Sequence, residues 1–276
     1  MIKQLQYLRT FNTNPYKNIA VEAYLLESVP ENTCILYLWQ NQNTVVIGKN
    51  QNAWKECRVS ELEDDHGFLA RRLSGGGAVY HDLGNLNFTF LVPTADYDVA
   101  HQLEVIRRAV ASFGLDAENS GRNDITVQGR KFSGNAFYHS GGNSYHHGTI
   151  LVDVDMAKLS CYLNVSAPKL QSKGVDSVRA RVVNLAELCS EITIESLIPR
   201  LNQAFGEVYG LEPVPIQETA LNAEKIAALT EKFQSWDWRL GRKIPFTWQV
   251  EERYVWGGVH LCLQVNRGII EDCVVY

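Results

Sequence analysis

Three consecutive glycines, Gly75-Gly76-Gly77, sit inside the run Arg72-Leu-Ser-Gly-Gly-Gly-Ala-Val-Tyr-His81, just before an apolar, aromatic stretch. A backbone without Cβ atoms adopts positive φ at little steric cost and lets successive N–H groups converge on one acceptor. The run therefore calls for close approach of an anion to main chain. Arg72 and Ser74 on one flank, and His81 and Asp82 on the other, supply charge and hydroxyl. Taken alone, the triplet reads equally well as a flexible turn between two strands. Neither standard nucleotide loop fits, because the chain has no G-x-x-x-x-G-K-[ST] and Gly75 to Gly77 lack the third glycine of a dinucleotide fingerprint.

Composition narrows the ligand. The chain has 276 residues, 45% hydrophobic and 21% charged, enough for one large or two domains with a self-sufficient core. A net charge of -5 offers no basic footprint, so nucleic-acid binding is disfavoured. The local pairs Arg71-Arg72 and Arg130-Lys131 suit a small anion instead. The cysteines at 34, 57, 161, 189, 262 and 273 form no C-x-x-C pair and no zinc-like spacing, and read as reduced, mostly packed thiols. The N-terminus lacks the apolar core of a signal peptide and no run is long enough to cross a bilayer, so the expected location is cytoplasmic and off the membrane.

The periodicity is mixed rather than the regular strand-helix alternation of a doubly wound sheet. Cys34 to Trp39 and Thr44 to Ile47, separated by Gln40 to Asn43, predict a hairpin. Gly77 to Tyr80 and Leu86 to Val92 predict a second strand pair around His81-Asp-Leu-Gly84. Val99 to Phe113 carries one apolar helical face and stops at Gly114. Strands are expected at Ile125 to Val127, Lys131 to Phe137 and Thr149 to Val154, then helices at Met156 to Leu163 and Thr193 to Tyr209. In the latter Thr193 is the N-cap, Gly210 the stop, and Pro199 a cause of a kink or a later start. Ala223 to Phe233 is amphipathic, and from Ile244 the chain alternates like antiparallel strands, placing a domain transition near Gly241.

A second cluster completes the pattern. Gly121 to Gly134 reads Gly-Arg-Asn-Asp-Ile-Thr-Val-Gln-Gly-Arg-Lys-Phe-Ser-Gly, followed by His146-His147-Gly148-Thr149. Together with Asn18-Ile-Ala-Val-Glu22, Thr44-Val-Val-Ile-Gly48, Gln51-Asn52 with Trp54, Arg71 to Asn85, and Ser177 to Asn184, these segments resemble the lipoate-protein ligase A family in order and spacing. The similarity runs from the N-terminal residues to about the last residue.

The resemblance implies an α/β (α+β) fold. Residues 1–240 would form a catalytic domain similar to class II aminoacyl-tRNA synthetases and biotin protein ligases, with a central mixed, antiparallel-rich sheet flanked by helices. Residues 241–276 would begin a small C-terminal accessory domain, which in the family continues past the counterpart of Tyr276, so this second domain is expected to be incomplete. A hinge is expected near Trp238 to Arg242, because adenylation wants a closed site and transfer needs room for a protein.

The resemblance also implies the chemistry: ATP-dependent activation of lipoate as lipoyl-AMP with loss of pyrophosphate, then transfer of the lipoyl group to a lysine. Such a step needs fixed N–H donors, a guanidinium, one ammonium and a divalent metal. By resemblance, Gly77, Ala78, Val79 and Tyr80 hold ATP, Arg72 grips phosphate, and Lys131 contacts both the acid's carboxyl and the α-phosphate. On a strand, Arg130 and Lys131 point to opposite faces, so one faces the site. Ile19, Val21, Glu22, Trp39, Val79, Arg72 and His81 are expected around lipoate. Asp124 either helps hold Mg2+ or orients Lys131, or is simply a turn residue. His146 and His147 are adjacent and on a strand cannot share one metal, and His147 is read as structural.

Implied acceptors are apo lipoyl domains of 2-oxoacid dehydrogenase acyltransferase subunits and the glycine cleavage H protein, met by a monomeric enzyme. Three rivals share the fold: an ATP-independent octanoyl or lipoyl transferase using a cysteine thioester, with Cys161 as its nearest thiol; a ligase for biotin or another acid; and a non-catalytic lipoate- or carrier-binding relative. Cys161 reads as a packed residue of an amphipathic helix, against the first.

Overall fold

The computed structural model describes residues 1–121, 123–164, 182–241 and 247–276. Arg122, the Ser177 to Arg181 part of the last motif, Arg242 of the expected hinge and Ile244 lie outside the described residues.

The N-terminal half supplies the first sheet strands and the helix beneath them. β1 (Gln4–Arg9) leads to α1 (Pro15–Ser28), whose cap Asn14 accepts from the Tyr16 and Lys17 amides while Pro15 fills the first turn. β2 (Thr33–Trp39), β3 (Thr44–Ile47), the short helices α2 (Ala53–Glu56) and α3 (Val59–Asp64), β4 (Phe68–Arg71), β5 (Val79–His81) and β6 (Asn85–Pro93) follow. α4 (Val99–Ala111) starts at the Asp98 cap, and Gly114 beyond it takes φ +79, as the glycine stop predicts. Then come β7 (Ala117–Ser120), β8 (Asp124–Val127), β9 (Arg130–Ser140) and β10 (Asn143–Leu151).

The remainder is α5 (Met156–Tyr162), α6 (Leu185–Leu188), α7 (Ile194–Tyr209), β11 (Pro213–Pro215), α8 (Ala223–Gln234), α9 (Trp236–Leu240), β12 (Trp248–Tyr254), β13 (Gly257–Asn266) and β14 (Ile269–Val275). Thr193 caps α7 in a capping box with Ser196, and Gly210 closes it at φ 66. α7 begins at Ile194 and runs through Pro199, so the later start does not occur. β10 begins at Asn143, well before the expected Thr149, because its polar residues are paired on both sides by β6 and β9.

Among the described residues the main sheet has eight strands in the order β11-β1-β2-β6-β10-β9-β8-β7, parallel across β11-β1-β2 and antiparallel beyond. A smaller sheet, β4-β3-β5, lies in the same half of the chain, and β12-β13-β14 form a third. Both expected strand pairs are therefore corrected. β2 pairs with β1 and β6, β3 with β4 and β5, and β5 does not pair with β6. Turn residues at 40–43 fix where the chain reverses, but every residue of β2 and β3 is buried, and a strand buried on both sides needs a neighbour at each edge.

Period-two alternation sorts the main sheet's side chains. Leu36 and Leu38 of β2, with Leu86, Phe88 and Phe90 of β6, join α4 and α7 in one core. Tyr37 and Trp39 of β2 and Leu91 of β6 face α1 and α8 in another. On this second face β6 also buries Asn87 and Thr89, polar residues inside an otherwise apolar strand.

Candidate active site

The glycine run links β4 to β5. A Cβ on Gly48 would stand 2.0 Å from the Gly76 carbonyl oxygen, so the run lies directly on the end of β3, and Gly76 takes φ +94. Arg72 braces it from beneath: Nη2 donates to the carbonyls of Gly75 (2.7 Å) and Gly77 (2.9 Å), Nη1 to Val46 O (3.2 Å), and Nε to Ser74 Oγ (3.1 Å). Among the described residues the amides of Gly75, Gly76, Gly77 and Ala78 donate to no backbone or side-chain acceptor. Carbonyls pinned from below and amides left free make an anion cradle. The Arg72 guanidinium, 7% exposed and on the cavity lining, is turned onto main-chain carbonyls and Ser74 Oγ and shapes the loop.

The run roofs a cavity of about 250 Å³. Its apolar wall comes from Ile19, Trp39, Val46, Val79 and Ala136, and Glu22, Arg72, His81, Asn87, Lys131, His147 and Thr149 add polar groups. Ile19, Glu22, Trp39, Arg72, Gly77, Ala78, Val79, His81, Asp124 and Lys131, all singled out in the sequence, line this one cavity. Val21 and Tyr80 do not. Val21 turns into the core between α1 and the sheet, and Tyr80, alternating with Val79 and His81, packs on Tyr162 and donates to Asn43. Val46, Asn123 and Thr149 stand in the quoted motifs without an assigned role, His147 is read there as structural, and Asn87, Asn135 and Ala136 are not singled out. The buried polar positions of β6 were the available signal.

Lys131 reaches the cavity through an irregularity. β8 and β9 shift register between Ile125 and Thr126, so Ser133 faces Ile125 while Lys131 faces Thr126, leaving Phe132 as the extra residue of a bulge. Phe132 is driven into the core, and Lys131 Nζ lies 2.7 Å from Asp124 Oδ1. A Cβ at Gly134 would meet Nζ at 2.9 Å, so the ammonium rests over that glycine. Arg130 turns the other way, toward Glu187 at 3.9 Å. Among the described residues no three His, Cys, Asp or Glu gather as a metal centre, and Asp124 is the carboxylate beside Lys131.

His81 is fully enclosed. Burial, reinforced by Arg72 and His147, pushes its pKa down to about 3, and the neutral ring accepts from Asn41 Nδ2 at 3.2 Å through Nδ1. His146 is likewise pushed to about 3 by burial, and it occupies the core between Gln102 and Asn135. Its neighbour His147 is turned by β10 alternation to the cavity wall. His147 Nδ1 stands 2.8 Å from Glu22 Oε1 and Nε2 2.8 Å from Ser74 Oγ. Ser74, His147 and Glu22 have the connectivity of a nucleophile relay, but the hydroxyl is wholly buried and held by Arg72, so it is not a nucleophile. Cys161 is exposed rather than packed, and no cysteine lines the cavity among the described residues. No helix among them is long and apolar enough to cross a membrane.

One cavity thus unites an apolar slot, an anion cradle and an ammonium, the parts needed to bring a carboxylic acid to a phosphate. Residues 14–206 match the family model described as the lipoyl protein ligase A/B catalytic domain. The chain is 43% identical over 281 residues to the lipoate-protein ligase A of Psychrobacter cryohalolentis, covering 99% of this chain and 83% of that protein. Among solved structures it is similar to P. falciparum LipL1 in complex with lipoate, at TM-score 0.83 and 31% identity over 99% of this chain and 84% of the other. A structure described as an archaeal lipoylation system, a bi-partite lipoate protein ligase and its E2 lipoyl domain from Thermoplasma acidophilum, gives TM-score 0.74 and 28% identity over 89% and 99%. A lipoate-protein ligase A bound with ATP gives 0.70 and 26% over 87% and 99%.

Proposed function

The chain belongs to the lipoyl protein ligase A/B family, and on that footing we propose that it is an ATP-dependent lipoate-protein ligase. It activates lipoate as lipoyl-AMP and passes the lipoyl group to a lysine of an acceptor protein. The observation that carries the reading is the shared cavity, in which Trp39 and Ile19 wall an apolar slot and Lys131 stands with the glycine run at its polar end.

The lipoate carboxylate attacks the α-phosphorus of ATP. A bond forms between a carboxylate oxygen and the α-phosphorus, the bond from that phosphorus to the α,β-bridging oxygen breaks, and pyrophosphate leaves with the electron pair. Two anions must meet, so the work is positioning and charge neutralisation. Lys131 supplies the mobile ammonium between them, and the free amides of Gly75 to Ala78 supply fixed donors to phosphate oxygens. Val79 lines the same wall, while Tyr80 supports the strand from behind. In the second step the acceptor amine attacks the acyl carbon, AMP leaves, and the amine gives up a proton to solvent.

Mg2+ fits as an ion carried on the ATP phosphates, which needs few protein oxygens. Asp124, beside Lys131, is the residue that would hold it, and the ion would add further neutralisation of phosphate charge. The acceptors best matched to the reading are apo lipoyl domains of 2-oxoacid dehydrogenase acyltransferase subunits and the glycine cleavage H protein. The arrangement of the strands supports a catalytic unit over 1–240 and an accessory sheet over 241–276. A cysteine-thioester transferase is disfavoured by the absence of a thiol on the cavity wall among the described residues.

The test is the intact mass of an apo lipoyl domain incubated with this protein, lipoate and Mg-ATP. A lipoyl increment that requires ATP supports the ligase; an increment without ATP would sink it in favour of a transferase.

A further inference from the structure

A chain of buried hydrogen bonds crosses the site from the acid slot to the glycine run. Trp39 Nε1–H donates to Thr89 Oγ1 (3.1 Å), and Thr89 Oγ1–H to Glu22 Oε1 (2.7 Å). The same Glu22 oxygen meets His147 Nδ1 (2.8 Å), whose Nε2 meets Ser74 Oγ (2.8 Å), and Ser74 Oγ accepts from Arg72 Nε (3.1 Å). Arg72 ends the chain on the carbonyls of Gly75 and Gly77. With a neutral imidazole the polarity is consistent throughout, as Nδ1–H goes to Glu22 and Ser74 Oγ–H to Nε2. Trp39, Glu22, Ser74 and Thr89 are each less than 5% exposed, so a shift at one link strands a buried polar group unless the next link follows.

The two ends meet different ligands. Trp39 and Glu22 are seated in packed elements and line the slot, and Glu22 Oε2 has no hydrogen-bond partner among the described residues. At the other end Arg72 fixes the carbonyls of the glycine run, while the side of the run at Gly75 is open, with nothing within 4 Å of a Cβ placed there. An acid filling the slot contacts Trp39 and Glu22, and the run takes its shape from Arg72.

We propose that the Thr89–Glu22–His147–Ser74 chain couples the two halves of the site, so that an acid in the slot orders the glycine run for the nucleotide and the two ligands bind cooperatively. Thr89, His147 and Ser74 are then positioning residues for adenylation. The proposal rests on the ligase reading above and adds to it a linkage that the reading does not require, because a slot and a cradle that bind independently would also support ligation. By reciprocity the nucleotide tightens acid binding by the same factor.

The experiment measures, by calorimetry, binding of an ATP analogue with a methylene group between its α- and β-phosphorus atoms, with and without saturating lipoate. In the wild type, lipoate is expected to tighten the analogue about fivefold or more. Ser74→Ala and Thr89→Val cut the chain at two places that do not line the cavity. Each is expected to bring the factor close to one, while Ser74→Ala leaves lipoate affinity alone within about twofold. The double variant is expected to lose no more coupling than the single variants, whereas independent packing damage would add. Wild-type protein that binds neither ligand would overturn the ligase reading and the coupling with it. Binding of both without mutual effect, or variants that keep the wild-type factor, would overturn the coupling alone.

Discussion

Lys131 Nζ lies 2.7 Å from Asp124 Oδ1 across two strands whose bulge turns the lysine into the cavity and sends Phe132 into the core. The ammonium is about one-third exposed and the carboxylate more so, which makes the pair a weak contributor to stability and a movable one. Lys131→Ala is therefore expected to cut lipoate-dependent pyrophosphate release by about a hundredfold or more while leaving the melting temperature near wild type. A large fall in melting temperature with activity retained would place Lys131 in the scaffold instead. Lys131→Arg is not expected to restore the rate, because a planar fork does not occupy the position of a compact point charge.

Gly134 and Gly148 separate positioning from packing. Alanine at 134 crowds the far end of Lys131, at 2.9 Å from Nζ, with Thr149 Oγ1 at an ordinary 3.9 Å, so the expected outcome is a rate loss of about tenfold or more with the fold intact. Alanine at 148 meets Phe88 Cζ at 2.6 Å and the Gly134 carbonyl oxygen at 2.7 Å, and is expected to destabilise the protein by about 1–3 kcal/mol. Paired kinetic and urea-unfolding measurements on the two variants check the distinction.

Gly48→Ala puts a Cβ 2.0 Å from Gly76 O, against backbone that cannot swing away, so the glycine run must lift from β3. Nucleotide affinity is expected to fall about tenfold or more, with lipoate affinity less affected, because the cradle and not the slot is displaced. Equal losses for both ligands would contradict this division of the site.

Arg71 ties three segments together. Nη1 donates to the carbonyls of Gly48, Lys49 and Gln51, and Nε and Nη2 reach those of Trp238 and Arg239, while Trp238 Nε1 returns a bond to Arg71 O. Removing it strands several carbonyls at once, and Arg71→Ala is expected to cost about 3 kcal/mol in urea unfolding and to speed proteolysis after Leu240. A cost below about 1 kcal/mol would show that water replaces the guanidinium.

His81 and His146 give the fold an acid limit. Each is held near pKa 3 by burial, below the ordinary value of 6.5, so between those pH values the unfolded chain binds protons that the folded chain refuses. Stability is full above about pH 6.5 and falls as pH drops, by about 2 kcal/mol per histidine at pH 5 relative to pH 7. His146→Gln, which keeps hydrogen-bonding capacity without the titration, is expected to remove about half of that slope in unfolding free energy.

Much of this protein is written locally. The cap at Thr193, the stops at Gly114 and Gly210, and the glycine run depend on residues within a few positions of one another, and each sits where the sequence predicts. The family resemblance carried by the motifs also names about half of the residues that line the cavity. What tertiary structure decided is partnership. Turn residues say that the chain reverses after Trp39 but not that β2 and β3 enter different sheets, because pairing is settled by which edges remain to be covered. Adjacent histidines look equivalent until β10 takes its register, which sends His146 into the core and His147 to Glu22 and Ser74. Arg72 is legible as a cation, but only the packed loop shows its donors turned onto main-chain carbonyls, since a buried guanidinium bonds whatever acceptors the fold brings within reach.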